Sequence, residues 1–243
     1  MTDHAPRECA MAGRALPSFS IGAGARLLHG WRWSTATPDW DDAACVALLS
    51  EAERQQAQRL VRADSRCAWQ RHRAMLRTVL AQLTDCAPAR LDIATGQHGK
   101  PWLPGWPQLR FNLSHSGADA VLVAGAADRI GVDIEITTDP ARFRRLAQRY
   151  FPREAAQLEA DGDAWRFVRA WTAKEAYLKA LGTGLSKPLN SFELALDRDG
   201  HAHGVRSCND EPVLAAACTL FRLPEATPAQ GVGTVAAIWL DAG

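Results

Sequence analysis

The sequence predicts an α+β protein in which each half combines helices with a small antiparallel sheet. Short strand-like segments follow one another at 109–113, 119–126 and 129–136, with turn residues between them. Segments with the three- and four-residue apolar spacing of helices lie on both sides of this group. A chain of 243 residues is long enough to bury a sizeable core.

The first half of the chain is expected to comprise residues 25–127, after a flexible tail at 1–24 that is rich in Ala, Gly, Pro and Ser. Acidic N-cap residues and Gly/Pro clusters delimit its elements. The predicted elements are a strand at 26–34, a helix from Asp41 or Asp42 to about Val61, a long helix from Asp64 to about Leu83, a loop from Gly96 to Pro107, and strands at 109–113 and 119–126.

The second half, residues 128–243, is expected to begin with a strand. Gly182 and Gly184 follow its longest helix, as glycines commonly do at helix C-termini. The predicted elements are a strand at 129–136, helices at 140–150, 153–160 and 164–181, and strands at 191–197, 213–222 and 232–240.

Charge and cysteine usage exclude several classes of protein. The formal net charge is +1, which provides no global field for nucleic acid or a membrane surface. No apolar run is long enough to span a bilayer. The six cysteines are scattered and form no C-x-x-C pair, so neither a disulfide framework nor a zinc site is expected. The cytoplasm is the expected compartment.

Two acidic residues share one face of a predicted strand. The segment from Ile130 to Ile136 alternates apolar and polar residues, which is the period of a half-buried strand. Asp133 and Glu135 therefore project from the same face, about 6.6–7 Å apart. Two carboxylates this close repel each other unless a cation neutralises them or one stays protonated. A solvated pair is the simpler interpretation of this pattern taken alone.

A third acid lies within the apolar stripe of the helix predicted at 164–181. Glu175 follows Val168 and Trp171 at helical spacing, and Lys179 comes one turn later. A carboxylate on that stripe points towards the protein body, where it needs a partner or a metal. Glu175 and Lys179 could instead form an ordinary surface ion pair. If the strand and the helix pack together, three acids and one lysine converge, and this set suits Mg²⁺ with substrate phosphates as further ligands.

Four segments in register resemble the motifs of 4′-phosphopantetheinyl transferases. They are Gly99-Lys-Pro101, Asn112-Leu-Ser-His-Ser116, Gly131-Val-Asp-Ile-Glu135 and Trp171-Thr-Ala-Lys-Glu-Ala-Tyr-Leu-Lys179. Any one would be weak, but four in order are a strong signal. The resemblance covers roughly residues 26–200 and is to the monomeric surfactin-synthetase-activating (Sfp-type) branch, including its subgroup linked to fatty-acid and polyketide carriers.

The resemblance implies a fold and an activity. The fold would be a pseudo-twofold pair of similar α+β halves with the active site in the cleft between them. The activity would be Mg²⁺-dependent transfer of the phosphopantetheine arm of coenzyme A to a serine of an acyl or peptidyl carrier protein, with release of adenosine 3′,5′-bisphosphate. Mn²⁺ could replace Mg²⁺, and a monomer is implied.

The resemblance also assigns roles to individual residues. Asp133, Glu135 and Glu175 would hold the metal, with Asp133 also near coenzyme A. Lys179 would contact the diphosphate, and Glu175 could also take the serine proton.

Coenzyme A contacts are implied for a further set of residues, namely Ser114 and His115 just after a strand, Lys100 and Pro101 in a loop, and Arg73 on the long helix. Upstream lysines that some relatives use for the 3′-phosphate are absent, which leaves Arg54 as the basic candidate there.

Other interpretations remain open at this point. Residues 142–153 are basic with interleaved aromatics and could dock an acidic carrier, or could simply form a solvated helix face. The acid pair with a nearby lysine also suits a metal-dependent nuclease, although the chain has no basic excess. A catalytically silent module that binds carrier proteins or coenzyme A is the third possibility.

Overall fold

A computed structural model describes residues 17–21, 27–159, 163–208, 216–221 and 232–240. The helices in these ranges are α1 (Asp42–Leu48), α2 (Glu51–Gln58), α3 (Ala63–Thr84), α4 (Pro140–Tyr150), α5 (Pro152–Leu158) and α6 (Trp165–Leu181). The strands are β1 (Phe19–Ile21), β2 (Leu28–Ser34), β3 (Ala94–Thr95), β4 (Pro101–Trp102), β5 (Arg110–Ser116), β6 (Asp119–Gly125), β7 (Arg129–Thr137), β8 (Phe192–Leu196), β9 (Ala202–Cys208), β10 (Ala216–Phe221) and β11 (Val232–Leu240). The predicted α+β class is confirmed.

The first sheet is antiparallel, with strand order β1-β2-β6-β5. Its edge strand β1 lies within the segment predicted to be a flexible tail, so that prediction is wrong for residues 19–21. Phe19 pairs with Gly30, and its ring lies so close that a Cβ at Gly30 would be 2.1 Å from it. The rest of the predicted tail, at 1–16 and 22–24, lies outside the described residues.

Helix α3 packs against one face of this sheet and forms the core of the first half. The apolar side chains between them include Trp31, Leu76, Leu80, Phe111 and Leu122, all buried. Burial of large aromatic and aliphatic side chains of this kind is the main stabilising contribution.

The single helix predicted from 41 to 61 is two helices. Ser50 Oγ accepts from the Glu53 N–H at 3.3 Å, and the Glu53 carboxylate accepts from the Ser50 N–H at 2.9 Å. This capping box allows α2 to start at Glu51, because it satisfies two backbone N–H groups that have no intrahelical acceptor at the beginning of a helix.

The second sheet has the order β10-β11-β7 and supports α6. Helix α6 approaches β7 closely at Gly131, where a Cβ would lie 2.0 Å from the Ala176 carbonyl oxygen. On the other side of β7, Val132 and Ile134 pack against Val121 and Leu28 of the first sheet. Strand β7 therefore lies between the two halves.

Two small hairpins complete the described fold. Strand β4 lies within the predicted 96–107 loop and pairs with β3, so Pro101 lies in a short strand. Strands β8 and β9 form a hairpin whose second strand was not predicted. Cys45, Cys67 and Cys86 are free thiols. Within the described ranges, no helix has both the length and the apolar character needed to cross a membrane.

Candidate active site

Side chains of β5 connect the two halves along β7. Asn112 Oδ1 accepts from the Val132 N–H at 2.8 Å, and Ser116 Oγ accepts from the Ile136 N–H at 3.0 Å. Ser114 and His115 lie inside β5, so the prediction that they follow the strand is wrong. Because residues alternate between the faces of a strand, Ser114 faces β7 together with these two residues, and His115 faces the opposite way.

Asp133 is the buried centre of the site. It is 5% exposed, and its Oδ1 accepts hydrogen bonds from Ser114 Oγ at 2.8 Å and from Lys179 Nζ at 2.5 Å. Lys179 Nζ also donates to Ser114 Oγ at 2.8 Å, which closes a triangle of three side chains. Asp133 Oδ2 is buried and has no hydrogen-bond partner within the described residues. One carboxylate oxygen is therefore available to a ligand.

Glu135 and Glu175 flank Asp133 and are partly exposed. Ser116 Oγ donates to Glu135 at 3.4 Å, and Glu175 has no hydrogen-bond partner within the part of the chain that is described. Burial and the charge of Asp133 raise the pKa of Glu135. Burial and the charges of Asp133 and Glu135 raise the pKa of Glu175 to about 6. Burial also raises the pKa of Asp133, although Lys179 and Ser114 oppose the change. The structure thus concentrates negative charge here.

This charge distribution fits a hard divalent cation. Three mutually repelling carboxylates and an unpartnered buried oxygen are a donor set that Mg²⁺ favours. Lys179 occupies one oxygen of Asp133, and the carboxylate oxygens of the three acids are not all within 4.8 Å of one another. Among the described residues, the group of three potential ligands that meets this distance is Asp197, Asp199 and His201, on the β8–β9 hairpin. The ligand roles of Asp133, Glu135 and Glu175 stay predictions.

His115 and Arg73 line a cavity of about 430 Å³ between α3 and β5, together with Trp69, His72 and Leu113. Arg73 Nε donates to Glu53, a buried carboxylate that also accepts from Arg77. Although burial opposes it, the hydrogen bond from Arg77 and the charge of Arg73 lower the pKa of Glu53. Arg73 is therefore held at the cavity wall by an ion pair that the sequence did not predict.

Arg54 does not join this cavity. Its Nε and Nη2 donate to Glu51 at 3.1 Å, and its Nη1 donates to the Leu49 carbonyl at 2.6 Å. These contacts fix the guanidinium at the start of its own helix. Three of the five guanidinium N–H groups are engaged in this way, and the contact between Arg54 and a phosphate stays a prediction.

Lys100 also differs from its predicted role. Its ammonium donates to the carbonyls of Ile130, Lys179 and Ala180 at 2.7, 2.6 and 3.2 Å. Burial and the charges of Arg110 and Arg129 lower the pKa of Lys100 to about 8. Since an ammonium has three protons, Lys100 has none left for a ligand. It joins the β3–β4 hairpin to the end of α6, next to the backbone of Lys179.

The basic segment 142–153 spans α4 and the start of α5. Arg144 makes two hydrogen bonds to Glu159, at 3.0 and 2.5 Å. Arg142 and Arg149 instead line a groove of about 560 Å³ whose apolar wall includes Trp171 and Leu185. Leu185 is 71% exposed, which is unusual for a leucine and marks the rim of this groove.

Lys174, the neighbour of Glu175, was given no role by the sequence patterns. Lys174 is fully buried and pairs with Glu154 at 2.6 Å, while its ammonium also donates to the carbonyls of Leu189 and Phe192 at 2.7 and 2.8 Å. The adjacency of Lys174 and Glu175 could have indicated this burial, because adjacent residues on a helix point in different directions and so lie in different surroundings. Lys174 fixes α6 to α5 and to the segment that leads into β8, while Glu175 on the same helix lies at the site.

Comparison with known proteins gives two family models that match consecutive parts of the chain. The 4′-phosphopantetheinyl transferase superfamily model matches residues 129–219, and a 4′-phosphopantetheinyl transferase N-terminal model matches residues 31–127. The boundary between them falls just before β7, close to the division predicted at 127/128.

The names of similar curated proteins agree with the two family models. The 4′-phosphopantetheinyl transferase HetI of Nostoc sp. is 34% identical over 176 residues, which cover 70% of this chain and 74% of that protein. The 4′-phosphopantetheinyl transferase Sfp of Bacillus subtilis is 37% identical over 138 residues, 53% of this chain and 60% of that protein. A further Bacillus subtilis 4′-phosphopantetheinyl transferase is 37% identical, with 52% of this chain and 57% of that protein covered. The match thus spans less than two thirds of the two Bacillus proteins, but it reaches that share of HetI, and the chain belongs to the 4′-phosphopantetheinyl transferase superfamily.

Proposed function

We propose that this protein transfers the 4′-phosphopantetheine arm of coenzyme A to a serine of an apo acyl or peptidyl carrier protein. One observation carries the proposal. In a chain of this family, a buried aspartate with an unpartnered oxygen lies beside two further acids and a lysine, between the two halves. A silent binding module would not need this combination, and a net charge of +1 gives the chain no basic excess for a nuclease.

Asp133, Glu135 and Glu175 would hold Mg²⁺, or Mn²⁺ in its place. The bound ion would neutralise charge on the diphosphate of coenzyme A during transfer. The raised pKa values of Glu135 and Glu175 support this assignment, because a cation between the carboxylates would relieve their repulsion.

The chain's own side chains would position the reacting groups, which is most of what a protein contributes to phosphoryl transfer. The carrier serine oxygen forms a bond to the phosphorus next to the pantetheine arm. The bond from that phosphorus to the bridging oxygen breaks, and adenosine 3′,5′-bisphosphate leaves. Lys179 lies where its ammonium could stabilise the leaving phosphate, and Ser114 holds that ammonium. Glu175 would also accept the serine proton, directly or through a water molecule.

The groove beside α4 would receive the carrier. Arg142 and Arg149 offer positive charge, and Trp171 and Leu185 offer apolar surface, in a groove that adjoins the helix bearing Glu175. An acidic carrier surface would complement this combination. Replacing Arg142 and Arg149 by Glu should raise the KM for the carrier at least tenfold at low salt while leaving the KM for coenzyme A unchanged.

Arg145→Glu, compared with each of the single replacements Arg142→Glu and Arg149→Glu, is the matched control for this experiment. Arg145 is on the same helix and exposed but does not line the groove, and it makes only a weak 3.7 Å pairing with Asp139. Equal effects of Arg145→Glu and of the single groove replacements would reject the groove as the docking surface and leave only a general effect of charge.

The transfer reaction itself can be tested by mass spectrometry. The protein is mixed with coenzyme A, Mg²⁺ and an apo carrier, and the carrier is then weighed. Gain of one phosphopantetheine arm, absent when the carrier serine is replaced by alanine, supports the proposal. No gain with fatty-acid, polyketide and nonribosomal-peptide carriers would refute it.

A further inference from the structure

The wall of the 430 Å³ cavity contains a histidine to which no role has been assigned. His72 lies on α3 and is 6% exposed. The Trp33 indole N–H donates to His72 Nδ1 at 3.0 Å. An indole nitrogen can only donate, so Nδ1 must accept, and the proton of the neutral imidazole then lies on Nε2. Trp33 therefore fixes both the ring plane and the tautomer of His72.

His72 stays neutral. Burial, together with the charge of the neighbouring His115, lowers the pKa of His72 to about 4. The Gly117 carbonyl partly opposes this change, yet the buried Nε2 forms no hydrogen bond of ordinary geometry within the described residues. A phenylalanine at position 72 would remove the unpartnered Nε2, but it would leave the buried Trp33 indole N–H without an acceptor.

His72 covers one face of His115. The two rings are stacked, with centroids 5.2 Å apart and planes 14° from parallel. His115 projects from β5 next to Ser114, and part of its ring is exposed to solvent. Partial burial lowers the pKa of His115, and the nearby charge of Lys179 lowers it further. Since the inner ring is fixed, the outer ring is held in one plane at the edge of the site. Trp33 therefore holds His72 by a hydrogen bond, and His72 in turn stacks on His115.

We infer that His72 is a positioning residue that, held by Trp33, orients the His115 imidazole for the phosphate groups of the coenzyme A donor. This inference rests on the proposed function, because it takes coenzyme A as the ligand. His72 itself does not touch the reacting atoms. Its contribution is to donor affinity, since a ring that is free to rotate loses part of a charge-assisted hydrogen bond.

The test measures the Kd for coenzyme A by calorimetry, with Mg²⁺ present, in the full chain. His72→Phe keeps an aromatic ring but loses the acceptor for Trp33, and Trp33→Phe removes the donor. Each single variant should weaken coenzyme A binding about tenfold, the size of a compromised hydrogen bond to a charged group. Each should also lower the Tm, because one buried polar group loses its partner.

The double variant Trp33→Phe/His72→Phe separates positioning from stability. Removing both polar partners restores much of the lost Tm. If orientation matters, the Kd stays about tenfold raised despite the recovered Tm. If the Kd recovers together with the Tm, or if no variant changes it, His72 is a structural residue only and the inference is wrong. A wild-type protein that binds coenzyme A but modifies no carrier would refute the proposed function while leaving this test intact.

Discussion

Replacing Glu175 by glutamine removes one of three neighbouring negative charges and preserves the size of the side chain. Burial and the charges of Asp133 and Glu135 raise the pKa of Glu175 from 4.5 to about 6 in the metal-free protein. At pH 8 this difference in pKa means that the ionised carboxylate destabilises the folded protein by about 2 kcal/mol. Solvent screening at a partly exposed side chain reduces the figure towards about 1 kcal/mol.

The sign of this effect depends on pH. The folded protein binds the Glu175 proton more tightly than the unfolded chain does, so the protonated form stabilises the fold at low pH. That stability is lost as the pH rises from 4.5 through about 6. Without metal, Glu175→Gln should therefore be more stable than wild type at pH 8 by about 1–2 kcal/mol and nearly equal to it at pH 4.5.

Urea denaturation with EDTA or with excess Mg²⁺ measures both parts of this prediction. Mg²⁺ should stabilise the wild type, and should stabilise Glu175→Gln much less, because one of the proposed ligands has been lost. Asp92→Asn, an exposed acid outside the site, is the control and should change stability by less than about 0.5 kcal/mol. A Glu175→Gln protein that is less stable than wild type in EDTA at pH 8, and equally stabilised by Mg²⁺, would refute the reasoning.

Two further predictions concern the supports of α6. Lys174→Met leaves Glu154 buried without its 2.6 Å partner and should lower the free energy of unfolding by about 3–5 kcal/mol in urea; a loss below about 1 kcal/mol would contradict the role of this pair. Gly131→Ala places a methyl group 2.0 Å from the Ala176 carbonyl oxygen, so it should cost about 1–3 kcal/mol and reduce carrier modification. Gly105→Ala, where a Cβ meets nothing within 4 Å, should be neutral in both assays.

The regular parts of the fold followed from local patterns in the sequence. Alternation from Ile130 to Ile136 located β7, and helical spacing with a following Gly182 located α6. The break at Ser50 was also readable, because Ser50 and Glu53 have the spacing of a capping box. Strand β9 was missed because its sequence, Ala202–Cys208, contains a glycine and only one large apolar residue, Val205, and so shows no clear apolar alternation.

The site was predictable in its residue types but not in its contacts. The partners of a charged side chain depend on the packing of segments that are distant in the sequence. The spacing of residues within a motif carries no information about this packing. Lys100 turns inward to three carbonyls, and Glu53 reaches Arg73 across 20 positions of sequence. Ser114 was expected just after a strand ending at residue 113, whereas β5 continues to Ser116 and the Ser114 hydroxyl faces the carboxylate of Asp133.

The central claim is that carboxylates from β7 and α6 hold one divalent cation against the diphosphate of coenzyme A. Anomalous diffraction from crystals grown with Mn²⁺ and coenzyme A tests it directly. The account predicts a manganese peak bonded to Asp133, Glu135 and Glu175 and to a phosphate oxygen of the coenzyme. A well-ordered coenzyme with no peak at these three side chains, or with manganese bound only at another cluster such as the one around Asp197, would contradict it.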